Sequence, residues 1–195
     1  MEEIQEKKRE IRSDMADILG AFSADEITEK TSGIENRLFE FANFIESKIV
    51  LLYMQRNGEV ITQEIIERCF EQDKIVVLPA FDIIKHTMQF MKVDNLDSDM
   101  KPGPRGVLEP DPARCNVVPI DCIDIAIIPG VALDEKGGRI GSGEGYYDRL
   151  IPKLSATTRK VALAFESQIV QQIPLESHDR YVDIVITEER IIYKI

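Results

Sequence analysis

The chain lacks a long apolar run. No uninterrupted apolar stretch approaches the roughly 18 residues that a membrane-spanning helix needs. The beginning of the chain, MEEIQEKKRE, is charged and has no apolar segment of the kind found in secretory signal peptides. We therefore expect a cytoplasmic protein that does not contact a membrane.

Cysteine and positive charge are also scarce. The three cysteines show no CxxC spacing, which argues against a disulfide framework and against a structural zinc site. Acidic residues (35) outnumber basic ones (24), for a net charge of -11. Because a nucleic-acid-binding surface needs a basic patch, we expect no nucleic-acid partner. The positions of the few cations near a possible anion site are therefore informative.

Apolar runs of strand length alternate with segments of helical periodicity. We expect one domain over residues 1–195, with an α/β, three-layer fold whose mainly parallel central sheet has helices on both faces. Residues 94–123 carry five prolines and are expected to form a long irregular connection. The expected helices are 3–20, 23–46, 62–72 and 146–154, and the expected strands are 48–53, 74–79, 87–93, 124–129, 160–165, 183–187 and 191–195.

The stretch RIGSGEGYYDRL, residues 139–150, follows a predicted strand and leads into a predicted helix. Its alternating glycines let backbone amides approach an anion, and a helix N-terminus adds positive potential, so the arrangement favours phosphate binding. The spacing is not GxxxxGK[ST], which excludes a Walker P-loop, and it does not favour a dinucleotide fold. A flexible turn with glycines at positive φ is the alternative interpretation.

Charged residues lie near the glycines of this stretch. Asp148 lies in the first turn of the predicted helix, where a carboxylate beside a phosphate-binding loop can hold Mg²⁺. A surface aspartate favoured by the helix dipole is the alternative. Arg139 and Arg149 flank the glycines and could neutralise phosphate charge.

The segments PGVALD (129–134) and GRIGSGEGYYDR (138–149) together resemble the signature of the 5-formyltetrahydrofolate cyclo-ligase family, also called methenyltetrahydrofolate synthetases. The resemblance implies a sheet of the kind that sugar-phosphate isomerases and acyl-CoA transferases also have. Shorter blocks resemble the family in the expected order: KREIR at 8–12, LP at 78–79, MQF at 88–90, GVLEP at 106–110, ALAF at 162–165, HD at 178–179 and VD at 182–183.

The resemblance implies conversion of 5-formyltetrahydrofolate and ATP into 5,10-methenyltetrahydrofolate, ADP and phosphate. Phosphorylation of the formyl oxygen makes phosphate the leaving group, and the N10 amine then closes the ring. The protein positions two substrates and neutralises charge, so no nucleophilic Ser or Cys is needed. ATP is the implied co-substrate, Mg²⁺ the implied cofactor, and a polyglutamylated folate an accepted substrate. We expect a monomer.

The resemblance also implies roles for individual residues. Lys8 and Arg12 lie four apart on one helix face, which alone would indicate a solvated basic face; as ATP ligands they require the first helix to fold across the glycine loop. The implied catalytic residues are Tyr146 and Arg139. The implied folate contacts are Leu52, Glu59, Met88 and Tyr146, although Leu52 and Met88 are equally good core residues. The implied metal ligands are Asp148 and Asp179, and an ordinary loop aspartate is the alternative for Asp179. The implied ATP contacts are Lys8, Arg12, Arg139, Ile140, Gly141, Ser142, Gly143, Glu144, Gly145, Tyr146 and Tyr147.

Ser142 and Glu144 occupy loop positions that often hold Tyr, Arg, Gly or Lys in this family. A carboxylate beside a triphosphate would be repelled, so we expect Glu144 to point to bulk water; contact with ATP or support of the metal are the alternatives. Two other functions stay open because a fold does not decide function. One is a relative that binds nucleotide or folate without ligase activity, and the other is an enzyme resembling sugar-phosphate isomerases or CoA transferases.

Overall fold

A computed structural model describes residues 2–56 and 58–194. The helices are α1 (Glu2–Gly20), α2 (Ala24–Glu40), α3 (Ala42–Glu46), α4 (Gln63–Glu71) and α5 (Tyr146–Leu150). The strands are β1 (Ile49–Leu51), β2 (Ile75–Asp82), β3 (Thr87–Val93), β4 (Met100–Pro102), β5 (Leu108–Pro110), β6 (Ile125–Ile127), β7 (Ala132–Leu133), β8 (Arg139–Ile140), β9 (Arg159–Leu163), β10 (Ile184–Ile186) and β11 (Ile191–Tyr193).

The central sheet has seven strands in the order β11-β10-β9-β6-β1-β2-β3. The five inner strands pair in parallel, whereas β3 and β11 pair antiparallel at the two edges. Alternate residues of the inner strands enter two separate apolar clusters: Val50 packs with α2 and α4, and Leu51 packs with α5. Since side chains alternate across a strand, helices cover both faces, which confirms the α/β class and the mainly parallel sheet.

The second helix is shorter than expected. It begins with the Ser23–Glu26 capping box but ends at Glu40, not near residue 46. Phe41 is extended, with φ -74° and ψ 120°, and α3 follows it. The break buries the rings of Phe41 and Phe44 in the core. Burial of two aromatic side chains therefore overrides a continuous helical pattern. The last expected strand ends at Tyr193, and its predicted end at residue 195 lies outside the described residues.

Two short hairpins lie in segments that were expected to be irregular. In 94–123, β4 and β5 pair antiparallel, and in the connection after β6, β7 pairs with β8. Asp134 closes the second hairpin because its Oδ1 accepts from Gly138 N at 2.7 Å. Strands of two or three residues are too short to show periodicity, so the sequence pattern missed them. Among the helices in the described ranges, none combines the length and apolar character of a membrane crossing.

Candidate active site

A cavity of about 250 Å³ lies where β1 and β6 end, and we call it the main cavity. Its walls include Tyr53 and Met54 after β1, Pro129 and Gly130 after β6, and a side of α1. The structure brings most of the predicted residues together here. Those lining the cavity are Lys8, Arg12, Glu59, Arg139, Ile140, Gly141, Ser142, Gly143, Glu144, Gly145, Tyr146, Tyr147, Asp148 and Asp179.

The glycine loop, residues 141–145, has a backbone conformation that requires glycines directly before the Tyr-Tyr-Asp run. Gly143 and Gly145 have φ values of 105° and 67°, in the left-handed region that favours glycine. At Gly141 a Cβ atom would lie 2.8 Å from Nη1 of Arg139. Two glycines thus shape the turn into α5, and the third leaves room for the Arg139 side chain.

Arg139 is buried beneath the glycine loop. Its Nη2 donates to Asp148 Oδ1 at 2.8 Å, and its Nη1 donates to the Pro129 carbonyl at 3.2 Å. Asp148 Oδ1 also accepts from the backbone N of Arg180 at 3.1 Å. Within the described residues, Nε of Arg139 has no hydrogen-bond partner. The pair is therefore held in place while one buried donor stays available.

Helix α1 crosses the mouth of the glycine loop, as the predicted roles of Lys8 and Arg12 require. Arg12 Nε donates to the Gly141 carbonyl at 2.8 Å. The buried Lys8 ammonium pairs with Asp179 and, at 3.1 Å, with Glu176 Oε2. Burial lowers the pKa of the Arg12 guanidinium, although the charge of Asp179 opposes this. Residues more than 120 positions apart in sequence thus form one ionic surface.

Asp179 stays ionised because its carboxylate accepts hydrogen bonds from Lys8 and from the backbone N–H of Glu176. Burial favours the protonated form, but the backbone N–H of Glu176 and the Lys8 ammonium together lower the pKa of Asp179 below its ordinary value. In residues 2–56 and 58–194, one group of three side chains could hold a metal ion: Glu176, His178 and Asp179, with ligand atoms within 4.8 Å of one another. Asp179 was among the predicted metal ligands, whereas Glu176 and His178 were not. The weak ESHD spacing (176–179) was the only local signal.

The end of the cavity near Tyr146 is aromatic. The Tyr146 ring packs edge-on against Phe81, with centroids 4.9 Å apart. The guanidinium groups of Arg105 and Arg149 lie 5.3 Å and 5.2 Å from the centroid of the Tyr146 ring. Two cations beside this ring make the region around Tyr146 attractive to an anionic group.

Glu59 lies beside two buried tyrosines. Burial raises the pKa of Glu59, although the backbone N–H of Arg56, at 2.7 Å from Oε2, opposes the rise. Burial, followed by the charge of Glu59, also raises the pKa values of Tyr53 and Tyr147. Both phenols therefore remain protonated at neutral pH.

Two of the predicted folate contacts do not line the main cavity. Leu52 is fully buried in the apolar cluster beneath α2 and α4. Met88 is half-buried and packs against the cluster that contains Tyr146. Both residues sit on or beside sheet strands, and the alternation of side chains directs them into the core.

Glu144 was expected to point to bulk water; its side chain is 38% exposed, but it also lines the main cavity and pairs with two arginines. Its carboxylate pairs with Arg105 and, at 3.1 Å, with Arg56 Nη1, and Ser142 Oγ donates to it at 3.2 Å. Burial opposes ionisation, but Arg105, Arg56 and Ser142 together lower the pKa of Glu144 below its ordinary value. Neither Arg56 nor Arg105 was predicted to be a site residue. The available signal was an arginine between Pro104 and Gly106 in a strongly acidic chain.

A second cavity of about 760 Å³ adjoins the first. Its apolar walls include Leu19, Phe22, Ile27 and Phe165. The two cavities share several polar side chains, namely Arg12, Arg56, Glu59, Arg105 and Ser142. A long ligand could therefore span from an ionic chamber to an apolar one.

The model of the 5-formyltetrahydrofolate cyclo-ligase family matches residues 4–188. The chain belongs to this family. The "probable 5-formyltetrahydrofolate cyclo-ligase" of Caenorhabditis elegans is 33% identical to it, over 99% of this chain and 98% of that protein. The 5-formyltetrahydrofolate cyclo-ligase of Haemophilus influenzae is 30% identical, over 89% and 94%. The solved structure of Aquifex aeolicus 5,10-methenyltetrahydrofolate synthetase has a TM-score of 0.84 at 27% identity, over 96% of this chain and 92% of that one.

Membership of the cyclo-ligase family decides the enzyme class. The chain is a ligase, and the isomerase or CoA-transferase alternative is set aside. The match covers most of α1, the strands of the central sheet except β11, and the glycine loop, so it includes every segment that lines the main cavity. The cyclo-ligase signature at 138–149 thus lies at the cavity that its residues were expected to form.

Proposed function

We propose that this protein catalyses the ATP-dependent cyclisation of 5-formyltetrahydrofolate to 5,10-methenyltetrahydrofolate, with release of ADP and phosphate. The observation that carries the proposal is the contact between Arg12 and Gly141, by which α1 closes over the family's glycine loop. Lys8 and Arg12 of α1 line the same cavity as Arg139.

The ATP phosphates bind at the glycine loop in this proposal, with Lys8, Arg12 and Arg139 supplying positive charge. Arg139 supports the assignment because its Nε is buried and lacks a partner within the described residues. An unsatisfied buried donor costs about 1–3 kcal/mol, and a phosphate oxygen would remove that cost. Lys8 is the weaker case, since two carboxylates already neutralise it.

The folate lies towards Glu59 and Tyr146. In the first step, the formyl oxygen attacks the γ-phosphorus and the bond to ADP breaks. In the second step, N10 attacks the formyl carbon, phosphate leaves, and the N10 proton passes to phosphate or water. Tyr146 donates a hydrogen bond to the formyl or phosphoryl oxygen, and Glu59 accepts from N–H groups of the folate. Positioning and charge neutralisation supply the catalysis.

We also propose that Mg²⁺ binds at Asp148 and Asp179, with Glu176 nearby. Carboxylate oxygens are suitable ligands for this ion, and the Glu176–His178–Asp179 group shows that such atoms converge here. When bound, Mg²⁺ would neutralise part of the triphosphate charge. Arg139 and Lys8 pair with the two aspartates and hold them at the cavity wall.

The remaining expectations also belong to this proposal. In this proposal the protein works in the cytoplasm, and it acts as a monomer, since a single chain builds both cavities. It accepts folates with one or several glutamates: the apolar second cavity suits the aromatic part of the tail, and the shared arginines suit its carboxylates.

The test is a direct assay of the reaction. Purified protein mixed with 5-formyltetrahydrofolate and ATP should produce methenyltetrahydrofolate absorbance, with one ADP formed per product. Omission of ATP, or excess chelator, should abolish the signal. Binding of both substrates without product would identify a relative that lacks ligase chemistry. Full turnover in chelator would contradict the role of Mg²⁺.

A further inference from the structure

Glu144 places a negative charge inside the loop that is proposed to bind a triphosphate. Two arginines oppose it. Arg105 contacts the carboxylate twice, through Nη2 to Oε2 and through Nε to Oε1 at 3.3 Å, and Arg56 adds a contact at 3.1 Å. Two cations therefore face one carboxylate, and the cluster of Arg56, Arg105 and Glu144 keeps a net positive charge.

The β4–β5 hairpin holds Arg105 over the cavity. Gly103 N donates to the Val107 carbonyl at 2.8 Å, and Gly106 adopts φ +78°, so the turn is tight. Glu109 ties the hairpin to the sheet, because its Oε2 accepts from Phe81 N at 3.0 Å. A Cβ atom at Gly103 would lie 2.4 Å from Cδ of Glu109, so the tie requires glycine there.

The Arg105 guanidinium lies 4.1 Å from the Phe81 ring centroid and 5.3 Å from that of Tyr146. Its side chain is only 10% exposed, whereas that of Arg56 is 39% exposed. A poorly solvated cation interacts more strongly with a nearby anion than an exposed one does. Arg105 is therefore the cation of this cluster with the greater effect on the cavity.

We infer that Arg105 is a further catalytic residue, and this rests on the proposed function. Its guanidinium binds the phosphoryl group during transfer from ATP to the formyl oxygen, where charge is spread over the non-bridging oxygens. Glu144 is the positioning residue. It orients the planar guanidinium through two contacts and leaves other N–H donors for the phosphoryl group. The carboxylate in the loop thus anchors a cation.

The first test compares Arg105→Ala, Arg105→Lys and Glu144→Gln in the cyclisation assay, with Arg114→Ala as the control. Arg114 is an exposed arginine of the same segment and lines neither cavity. We expect kcat to fall about 100-fold in Arg105→Ala. Arg105→Lys should recover only part of the lost kcat, because an ammonium lacks the planar arrangement of N–H donors that a guanidinium has. Glu144→Gln should lower kcat about fivefold, and the control should match the parent.

A double-mutant cycle gives the sharpest result. In the parent, Glu144→Gln removes the anchor of Arg105 and should lower kcat. In the Arg105→Ala background, the same change removes a carboxylate that repels the triphosphate, and should raise kcat. A purely structural ion pair would not reverse the sign. Equal effects of Glu144→Gln in both backgrounds would overturn the anchoring role.

Nucleotide binding separates this inference from the proposed function. Arg105→Ala should weaken ATP binding about tenfold and leave ADP binding unchanged in calorimetry, since only ATP carries the transferred group. Unchanged ATP binding and kcat in Arg105→Ala would overturn the inference. A loss confined to the KM for folate would also overturn it and assign Arg105 to a folate carboxylate. If the parent makes no methenyl product but the ATP–ADP difference is found, the proposed function alone fails.

Discussion

Two ionic clusters border the main cavity, and they differ in burial and in charge. In the first, Lys8 meets Asp179 and Glu176, and all three side chains are at most 10% exposed. In the second, Glu144 meets Arg105 and Arg56, and the Glu144 and Arg56 side chains are nearly 40% exposed. Buried ions must be balanced where they lie because desolvation is expensive, whereas exposed ions are screened and can exchange partners.

The charge balance of the clusters is also opposite. One lysine against two carboxylates leaves the first cluster negative, which suits a divalent cation. Two arginines against one carboxylate leave the second cluster positive, which suits a phosphoryl group. An acidic chain can thus form one cluster that suits a cation and another that suits an anion by distributing few cations unevenly.

The largest effect should come from Lys8→Met. The change leaves Asp179 and Glu176 buried without their cation, and loss of one partner of a buried pair costs about 3–5 kcal/mol. Urea unfolding would measure it. Lys7→Met is the matched control, since Lys7 pairs with Glu3 at the exposed surface and its removal should leave the free energy of unfolding nearly unchanged. Similar losses in both variants would contradict the comparison.

The Lys8→Met defect should depend on pH. The pKa of Asp179 is lowered in the folded protein, so its contribution to stability is present above its unfolded pKa, about 3.9, and is lost as pH falls through the folded value. Removal of Lys8 takes away part of that contribution. The difference in stability between parent and variant should therefore be greatest at neutral pH and shrink below about pH 4.

Arg12→Ala should act on ATP binding and leave folding nearly unchanged. A charge-assisted contact to phosphate is worth about 1.5–3 kcal/mol, so the KM for ATP should rise about tenfold or more. Arg9→Ala on the same helix is the control, because Arg9 is exposed and pairs only locally with Glu6. An equal KM for ATP in the two variants would return Arg12 to a solvated or purely structural role.

Glu59→Gln should stabilise the protein while impairing the KM for folate. Burial raises the pKa of Glu59, so the ionised carboxylate penalises the folded state above its unfolded pKa, about 4.3. The variant should have the higher Tm at pH 7. The difference in Tm between variant and parent should disappear as the pH falls towards the unfolded pKa of Glu59. Glu10→Gln, an exposed site on α1, serves as control. A lower Tm for Glu59→Gln at pH 7 would show that its hydrogen bonds outweigh its desolvation.

Between the variants that break the two ionic clusters, Glu144→Gln should have the smaller effect on stability. Half-exposed ion pairs contribute about 1 kcal/mol or less, and salt reduces this further. Unfolding of parent and variant in low and high salt would measure both the loss of stability and its decrease with salt. A loss as large as that of Lys8→Met would break the distinction between the two clusters, whatever the effect on kcat.

Sequence patterns predicted the elements whose signal is local and long. Runs such as 74–79 and 124–129 became inner strands because their central residues, 76–78 and 125–127, are apolar and buried on both faces. The glycine loop was also predictable, since positive φ restricts residue choice to glycine at Gly143 and Gly145. The β4–β5 and β7–β8 hairpins were missed because strands of two or three residues have no measurable period.

The sequence by itself determined the α/β class, the shape of the glycine loop and the family that its signature resembles, because each depends on residues close together in the chain. Tertiary structure decided which charges meet. Lys8 pairs with Asp179, and Arg105 pairs with Glu144, only because α1 and the β4–β5 hairpin pack around the same cavity. It also decided that Leu52 enters the core. Side-chain partners from distant segments depend on how the elements pack, and no local period records that.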